Sequence, residues 1–213
     1  ISACGQLNQP AYPALPGIDQ FQGQAFHSAR WRHDIDLSGK RVAVIGTGAS
    51  AIQFVPQIQP KVAQLRLFQR SPAYVLAKPD RHYRTWELAL MRRMPWLQVI
   101  DRGFEYLYHE VRGLAFISMP WLMKVYRFSF ERHLNKYIRD PHLRAQLQPD
   151  YPMGCKRILI SNDFYPALAR PNVSVISSAI SRVSADAIIT ADGREHPCDV
   201  LIYGTGFTAT DFL

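Results

Sequence analysis

The sequence is poor in cysteine, in acidic residues and in long apolar runs, and each shortage excludes something. Its three cysteines, Cys4, Cys155 and Cys198, stand far apart and form no CxxC pair. Sparse, odd in number and without metal-ligand spacing, they argue against a disulfide scaffold, a zinc site and thiol–disulfide exchange, and for a reducing compartment. The uncharged apolar run between Arg112 and Lys124 holds only 11 residues, well short of the roughly 20 that a membrane-spanning helix needs. The chain opens Ile1-Ser2-Ala3-Cys4-Gly5 with no charged leader and no initiator Met. That opening reads as a cut from the middle of something longer, with the cytoplasm as the expected location. Against 25 Lys and Arg there are 17 Asp and Glu, a net charge of +8. Such a balance suits an anionic partner: nucleic acid, a membrane surface or a phosphorylated cofactor.

What is present suffices for one good core, since 47% of the 213 residues are hydrophobic. Residues 6–20 carry Pro10, Pro13, Pro16 and Gly17 and read as an extended connection. Residues 40–45 form a short β-branched run, followed by the turn Gly46-Thr47-Gly48 and a helical pattern over 49–58. A second short strand is expected over 65–69. Strand, glycine-rich turn, helix, strand is a βαβ unit, which requires a parallel sheet with a right-handed crossover.

From 79 to 148 the apolar period becomes helical, with Ile100, Phe104, Leu107, Tyr108, Val111, Leu114 and Ala115 tracing one helix face. A later helix is signed by Asp140 as cap, Pro141 in the first turn and Pro149 after its end. This stretch carries most of the net positive charge and reads as a helical insertion. Strands return at Val173–Ile176, at Ala187–Thr190 with a turn through Asp192-Gly193, and at Val200–Tyr203. The expected class is α/β: a Rossmann-like domain interrupted by helices.

The strongest local signal is Gly46-Thr47-Gly48-Ala49-Ser50-Ala51, which fits G-x-G-x-x-G/A between a strand and a helix. The first glycine permits the tight turn and the second lets a pyrophosphate reach the backbone. The small residue at the third position lets helix and strand pack closely, with the helix N-terminus facing the phosphates. A site for NAD or FAD would place Asp or Glu at the end of the second strand, to accept from the ribose 2′-hydroxyl. Arg70 stands there instead, 24 positions after Gly46, followed by Ser71. A guanidinium attracts a 2′-phosphate through two parallel hydrogen bonds, which favours NADP(H) over NAD(H). The plainer alternatives are a mere turn and a solvated surface arginine.

Residues 21–31 read FQGQAFHSARW, with Phe21, Gly23, His27 and Trp31 at the spacing F-x-G-x-x-x-H-x-x-x-W. This resembles the fingerprint of the Baeyer–Villiger monooxygenases, and it stands just before the glycine-rich turn as in that family. Arg32 follows the Trp where the family commonly carries Pro or Asp, so the resemblance also extends to the broader flavin-containing monooxygenases. Residues 151–157, YPMGCKR, are similar to a family segment that supplies a Lys for the cofactor's 2′-phosphate and an Arg for the flavin; by position these are Lys156 and Arg157. Residues 199–207, DVLIYGTGF, resemble the strand that returns the chain to an FAD domain, with Thr205 and Gly206 as cofactor contacts. Ala3-Cys4-Gly5 resembles the degenerate end of the strand that leaves that domain. Gly204 to Ala209 also fits G-x-G-x-x-A, a match discounted because no helix of useful length can follow it.

The resemblance implies an NADPH- and FAD-dependent monooxygenase that inserts one atom of O2 into a small apolar organic substrate, by Baeyer–Villiger ketone oxidation or by oxygenation of nitrogen or sulfur. Arg157 and His27 are its candidate catalytic residues, Arg157 because a permanent guanidinium charge suits an anion developing at the flavin. The implied division is an exit strand and linker (1–20), the fingerprint and first half of the NADP domain (21–78), the helical insertion (79–150), the second half (151–198) and a return strand (199–213). The FAD site is then incomplete in these residues, and the alternative function is a non-catalytic NADP-binding module, inactive alone. Trp86, Trp96, Trp121, Tyr106, Tyr108 and Tyr126 at helical spacing are expected in the core. The other reading of that basic, aromatic stretch is contact with a membrane or an apolar substrate. No aromatic–basic module of nucleic-acid-binding spacing is found.

Overall fold

The computed structural model describes residue 5, residues 7–117 and residues 121–208. Ala3, Cys4 and Ala209 lie outside these, as do the side chains of Leu114 and Ala115.

Five strands form one parallel sheet: β1 (Gln24–His27), β2 (Arg41–Ile45), β3 (Gln64–Phe68), β6 (Val173–Ile176) and β10 (Val200–Tyr203), in the order β1-β10-β2-β3-β6. Apolar, largely β-branched runs form its centre because both faces are covered, so polar alternation would bury polar groups. Side chains alternate between the faces. Val42, Val44, Leu65, Leu67, Val200 and Ile202 point into one core with α1 (Ala51–Ile58) and α6 (Phe164–Leu168). Ala43, Ile45, Phe68, Leu201 and Tyr203 pack into a second core against Ile188 and Cys198. That second face is roofed by an antiparallel sheet of β7 (Ile180–Val183), β8 (Ala187–Thr190) and β9 (Glu195–Pro197). The Arg66 guanidinium, on the same face, donates to the Pro197 carbonyl.

One ion pair fixes the register at the entrance of β2 and β10. Asp199 accepts from the Arg41 backbone N–H at 2.8 Å and from the Arg41 guanidinium at 2.6 Å. These hydrogen bonds hold the Asp199 carboxyl below its ordinary range. A depressed carboxyl contributes stability that is present above its unfolded pKa of about 3.9 and is lost as pH falls through the folded value. Asp199→Asn should therefore lower Tm at neutral pH, and its deficit against the parent should shrink to nothing as melts are repeated below that range. The pair is partly exposed, so the effect is modest.

The stretch read as a helical insertion lies between β4 (Val75–Leu76) and β5 (Leu159–Ile160), two short strands that pair in parallel. It contains α2 (Thr85–Arg93), α3 (Trp96–Ile117), α4 (Leu122–Tyr137) and α5 (Pro141–Gln146). The Asp140 carboxylate accepts from the His142 N–H and caps α5, with Pro141 in the first turn. Buried Phe130 and Leu134 anchor α4 in the first core. The expectation that the aromatic stripe forms core is corrected: Trp96 is 53% exposed and Phe104 69%. Trp86, Tyr106, Tyr108 and Trp121 are exposed as well, and Tyr126 is half-buried. The main neighbours of α3 are α2 and α4, and no layer among the described residues covers its apolar face. No helix among the described residues is long and apolar enough to cross a membrane.

Segments 9–11 and 206–208 run side by side. Ala11 donates its N–H to the Gly206 carbonyl, and Thr208 donates to the Gln9 carbonyl, both at 3.0 Å. The Thr205 hydroxyl donates to the Ala11 carbonyl at 2.5 Å.

Candidate functional site

At the C-terminal end of β2 the chain turns through Gly46, where φ is +104° and a Cβ would lie 2.5 Å from the Gly204 carbonyl oxygen. Two backbone segments thus meet at van der Waals limits, and only glycine fits. Gly48 differs: a Cβ there would meet nothing nearer than the same oxygen at 3.9 Å. It faces open space, the cavity itself. Ala51 is fully buried beneath the turn, 3.4 Å from where a Gly204 Cβ would sit. It holds the helix close and does not line the cavity.

The cavity has a volume of about 1070 Å³ and lies over the C-terminal ends of the strands, where ligands of open α/β sheets sit. Gly46, Thr47, Gly48, Ala49 and Ser50 line it, with Arg70, Ser71 and Arg157 on its rim and Thr205 and Gly206 opposite. Arg70 is exposed, two residues past the end of β3. Lys156 reaches this rim from 85 residues away, its Nζ donating to the Ser71 hydroxyl oxygen at 2.8 Å. The Thr47 hydroxyl donates to the Ser71 carbonyl at 3.4 Å and ties the rim to the glycine turn. A backbone cradle with cations at one end fits a phosphorylated dinucleotide: N–H groups at a helix N-terminus for the pyrophosphate, and a cation pair for a further phosphate. Arg157 also lines a neighbouring cavity of about 880 Å³ beyond α1, with Lys78, Arg81 and Asp163. It stands between the two spaces.

His27, a candidate catalytic residue by resemblance, lies in the sheet. It ends β1, paired with Tyr203 of β10, because Phe26 and His27 are drawn inside at the sheet edge. The ring is 1% exposed and does not line the cavity. Nδ1 accepts from the Ala29 N–H at 3.1 Å, and Nε2 is buried against the Gly206 backbone without a well-aligned hydrogen bond. Burial lowers its pKa, so the ring is neutral near pH 7. Tyr12, directly after the first paired segment, and Phe207, within the second, meet it edge-on at 5.5 and 5.7 Å. Trp31 packs against Phe26 and against Phe54 of α1. Thr205, which lines the cavity, donates its hydroxyl to the Ala11 carbonyl.

Sequence reading missed Tyr12, which lines the cavity, and Tyr151, which lies under Lys156. Their placement depends on contacts far apart in the chain, for which the sequence carries no local signal.

A five-stranded parallel sheet with a glycine turn at a helix N-terminus and a cavity over its strand ends defines a dinucleotide-binding fold of the Rossmann type. Residues 2–213 match the flavin-binding monooxygenase-like family, and the chain belongs to it. It is 52% identical over 211 residues to a Baeyer–Villiger monooxygenase of Pseudomonas aeruginosa, covering 99% of this chain and 40% of that protein. A Baeyer–Villiger monooxygenase of Streptomyces coelicolor is 49% identical over 211 residues, covering 99% and 41%. The chain therefore spans about two fifths of the length of these curated relatives. Among solved structures, an oxidized steroid monooxygenase bound to NADP superposes with a TM-score of 0.79 at 28% identity, over 96% of this chain and 46% of that one.

Proposed function

We propose that this chain is the NADP(H)-binding part of an NADPH- and FAD-dependent monooxygenase that inserts one atom of O2 into a small apolar organic substrate. The observation that carries this is the meeting of Lys156 with Ser71 at the rim of the cavity that holds the glycine turn. Two relatives named as Baeyer–Villiger monooxygenases support ketone oxidation ahead of nitrogen or sulfur oxygenation. When bound, NADPH supplies a hydride and FAD the group at which O2 is activated.

In this reading the backbone of Gly46 to Gly48 and the start of α1, with Ala49 and Ser50, hold the pyrophosphate. Arg70, Ser71 and Lys156 bind the 2′-phosphate, and Thr205 and Gly206 close the opposite wall. Arg157 is the catalytic cation, holding positive charge between the dinucleotide and the reacting centre. His27 is a positioning residue that packs the two connecting segments together, so that movement at the connection is transmitted to the cavity wall. Residues 21–78 and 151–198 form the NADP domain around the insertion 79–150, while 1–20 and 199–213 belong to an FAD domain. Cytoplasmic location, with the α3 face making peripheral contact with a membrane, belongs to the same proposal and rests on composition and exposed aromatics alone.

Titration of the full-length protein with NADP+ and NAD+ tests the reading. NADP+ should bind about tenfold or more tightly, since one charged hydrogen bond contributes about 1.5–3 kcal/mol. Arg70→Ala should weaken NADP+ and leave NAD+ nearly untouched. Equal affinities in the parent would refute the assignment.

A further inference from the structure

Tyr151 sits at the centre of a closed circuit of contacts around the cationic rim. Its hydroxyl donates to the Pro72 carbonyl at 2.8 Å, fixing the backbone that follows Arg70 and Ser71. The Lys156 ammonium lies 4.3 Å from the centroid of its ring, within the range where a cation is attracted to an aromatic face. Lys156 in turn donates to the Ser71 hydroxyl oxygen, which closes the circuit. From below, the Tyr74 hydroxyl donates to the Tyr151 carbonyl at 2.8 Å, and the Tyr74 ring meets Tyr151 edge-on at 5.5 Å. Phe130 of α4 backs Tyr74 at 4.9 Å. Burial raises the Tyr151 phenol above its ordinary range, so it stays a hydrogen-bond donor at neutral pH.

A lysine on a flexible four-carbon stem loses rotamer freedom when it binds a phosphate, and that loss weakens binding. An aromatic platform that already holds the ammonium removes part of the loss before the ligand arrives. The same ring, through its hydroxyl, sets the position of the turn that presents Arg70 and Ser71. We infer that Tyr151 is a specificity-determining positioning residue: it pre-arranges Lys156 and the Arg70–Ser71 turn for a phosphate monoester dianion on the ribose, and so sets the preference for NADP(H) over NAD(H). This rests on the assignment of the rim to a 2′-phosphate. Helix α4 takes part through Phe130, which packs on Tyr74 just before β4, and this places the determinant partly under the control of α4.

The test compares Tyr151→Phe, which keeps the ring and loses the bond to Pro72, with Tyr151→Leu, which loses both, in the full-length protein. Calorimetric affinities are measured for NADP+, NAD+ and adenosine 2′,5′-bisphosphate. Tyr151→Leu should weaken both 2′-phosphorylated ligands by roughly 3- to 30-fold, the range of a cation–aromatic contact. Tyr151→Phe should lose less, and NAD+ should bind each variant as it binds the parent. In the Lys156→Gln background, Tyr151→Leu should then have little left to remove. The inference is overturned if the variants keep the parental ratio of NADP+ to NAD+ affinity, or if all three ligands weaken in parallel, which marks a merely structural tyrosine. A parent without preference for NADP+, unchanged by Lys156→Gln, overturns the 2′-phosphate assignment itself and the inference with it.

Discussion

Gly46→Ala should both unfold the protein more easily and weaken its binding of dinucleotides, while Gly48→Ala should weaken binding alone. At Gly46 the left-handed backbone and a Cβ 2.5 Å from the Gly204 carbonyl oxygen act together. The obstacle is backbone of β10's exit, held by its own hydrogen bond to Ile45 at 2.8 Å, and cannot swing away as a side chain could. Strain of this kind costs on the order of 3 kcal/mol or more. For a chain of this size that corresponds to a fall in Tm of roughly 6–12 °C. A turn displaced by an ångström also misplaces every N–H donor aimed at the phosphates, so NADP+ affinity should fall by about 100-fold or more. At Gly48 the added methyl meets only open space in the empty fold. Its Tm should stay within about 2 °C of the parent, as for substitutions that touch nothing. The methyl does occupy the surface a pyrophosphate must approach, so affinity should drop about tenfold or more. Scanning fluorimetry and calorimetry separate the two, and a parental Tm for Gly46→Ala would show that the contact with Gly204 is not a constraint.

Arg157→Ala should disconnect reductant use from product formation in the full-length enzyme. Arg157 stands where the two cavities adjoin, and the phosphate-binding role is proposed for Arg70, Ser71 and Lys156 instead. NADP+ affinity should therefore change by less than about tenfold, less than the loss of one charged hydrogen bond would cause. Oxygenated product should fall by about 100- to 1000-fold, the usual result of removing a charge aimed at a developing anion. NADPH oxidation should continue, with hydrogen peroxide accumulating in place of product. Paired assays of product and peroxide decide the matter. Product at the parental rate would reduce Arg157 to a structural or phosphate-binding role.

Much of the sheet was legible because its strands are short apolar runs bounded by turns. Residues Val173–Ile176 and Val200–Tyr203 lie where their β-branched content places them. The α5 cap was legible from Asp140 and Pro141 alone, since capping is a local hydrogen bond. Elements defined by a distant partner were not. The two-residue strands β4 and β5 exist only through each other, β1 is recognised by its pairing with β10, and Pro166 disguises α6. The stripe on α3 shows the opposite limit: apolar periodicity reports that a face wants covering, not that this stretch of chain covers it. At the site, the glycine turn and the candidate cations could be read along the sequence, whereas Tyr151 could not. Its two decisive contacts join Pro72, 79 residues away, and a lysine whose own target is 85 residues away.

The paired segments at 9–11 and 206–208 bring the two ends of the αβ body between them together at a doorway, for Ala11 and Thr205 touch although they are 194 residues apart in sequence. A body attached at one place can be lifted out and replaced with two joins lying a few ångströms from each other, which is the geometry that tolerates insertion and exchange. Recombination between relatives at this doorway would carry the dinucleotide cavity, the cationic rim and the tyrosines beneath it across as one heritable unit. The cofactor preference proposed for the rim would travel with that unit.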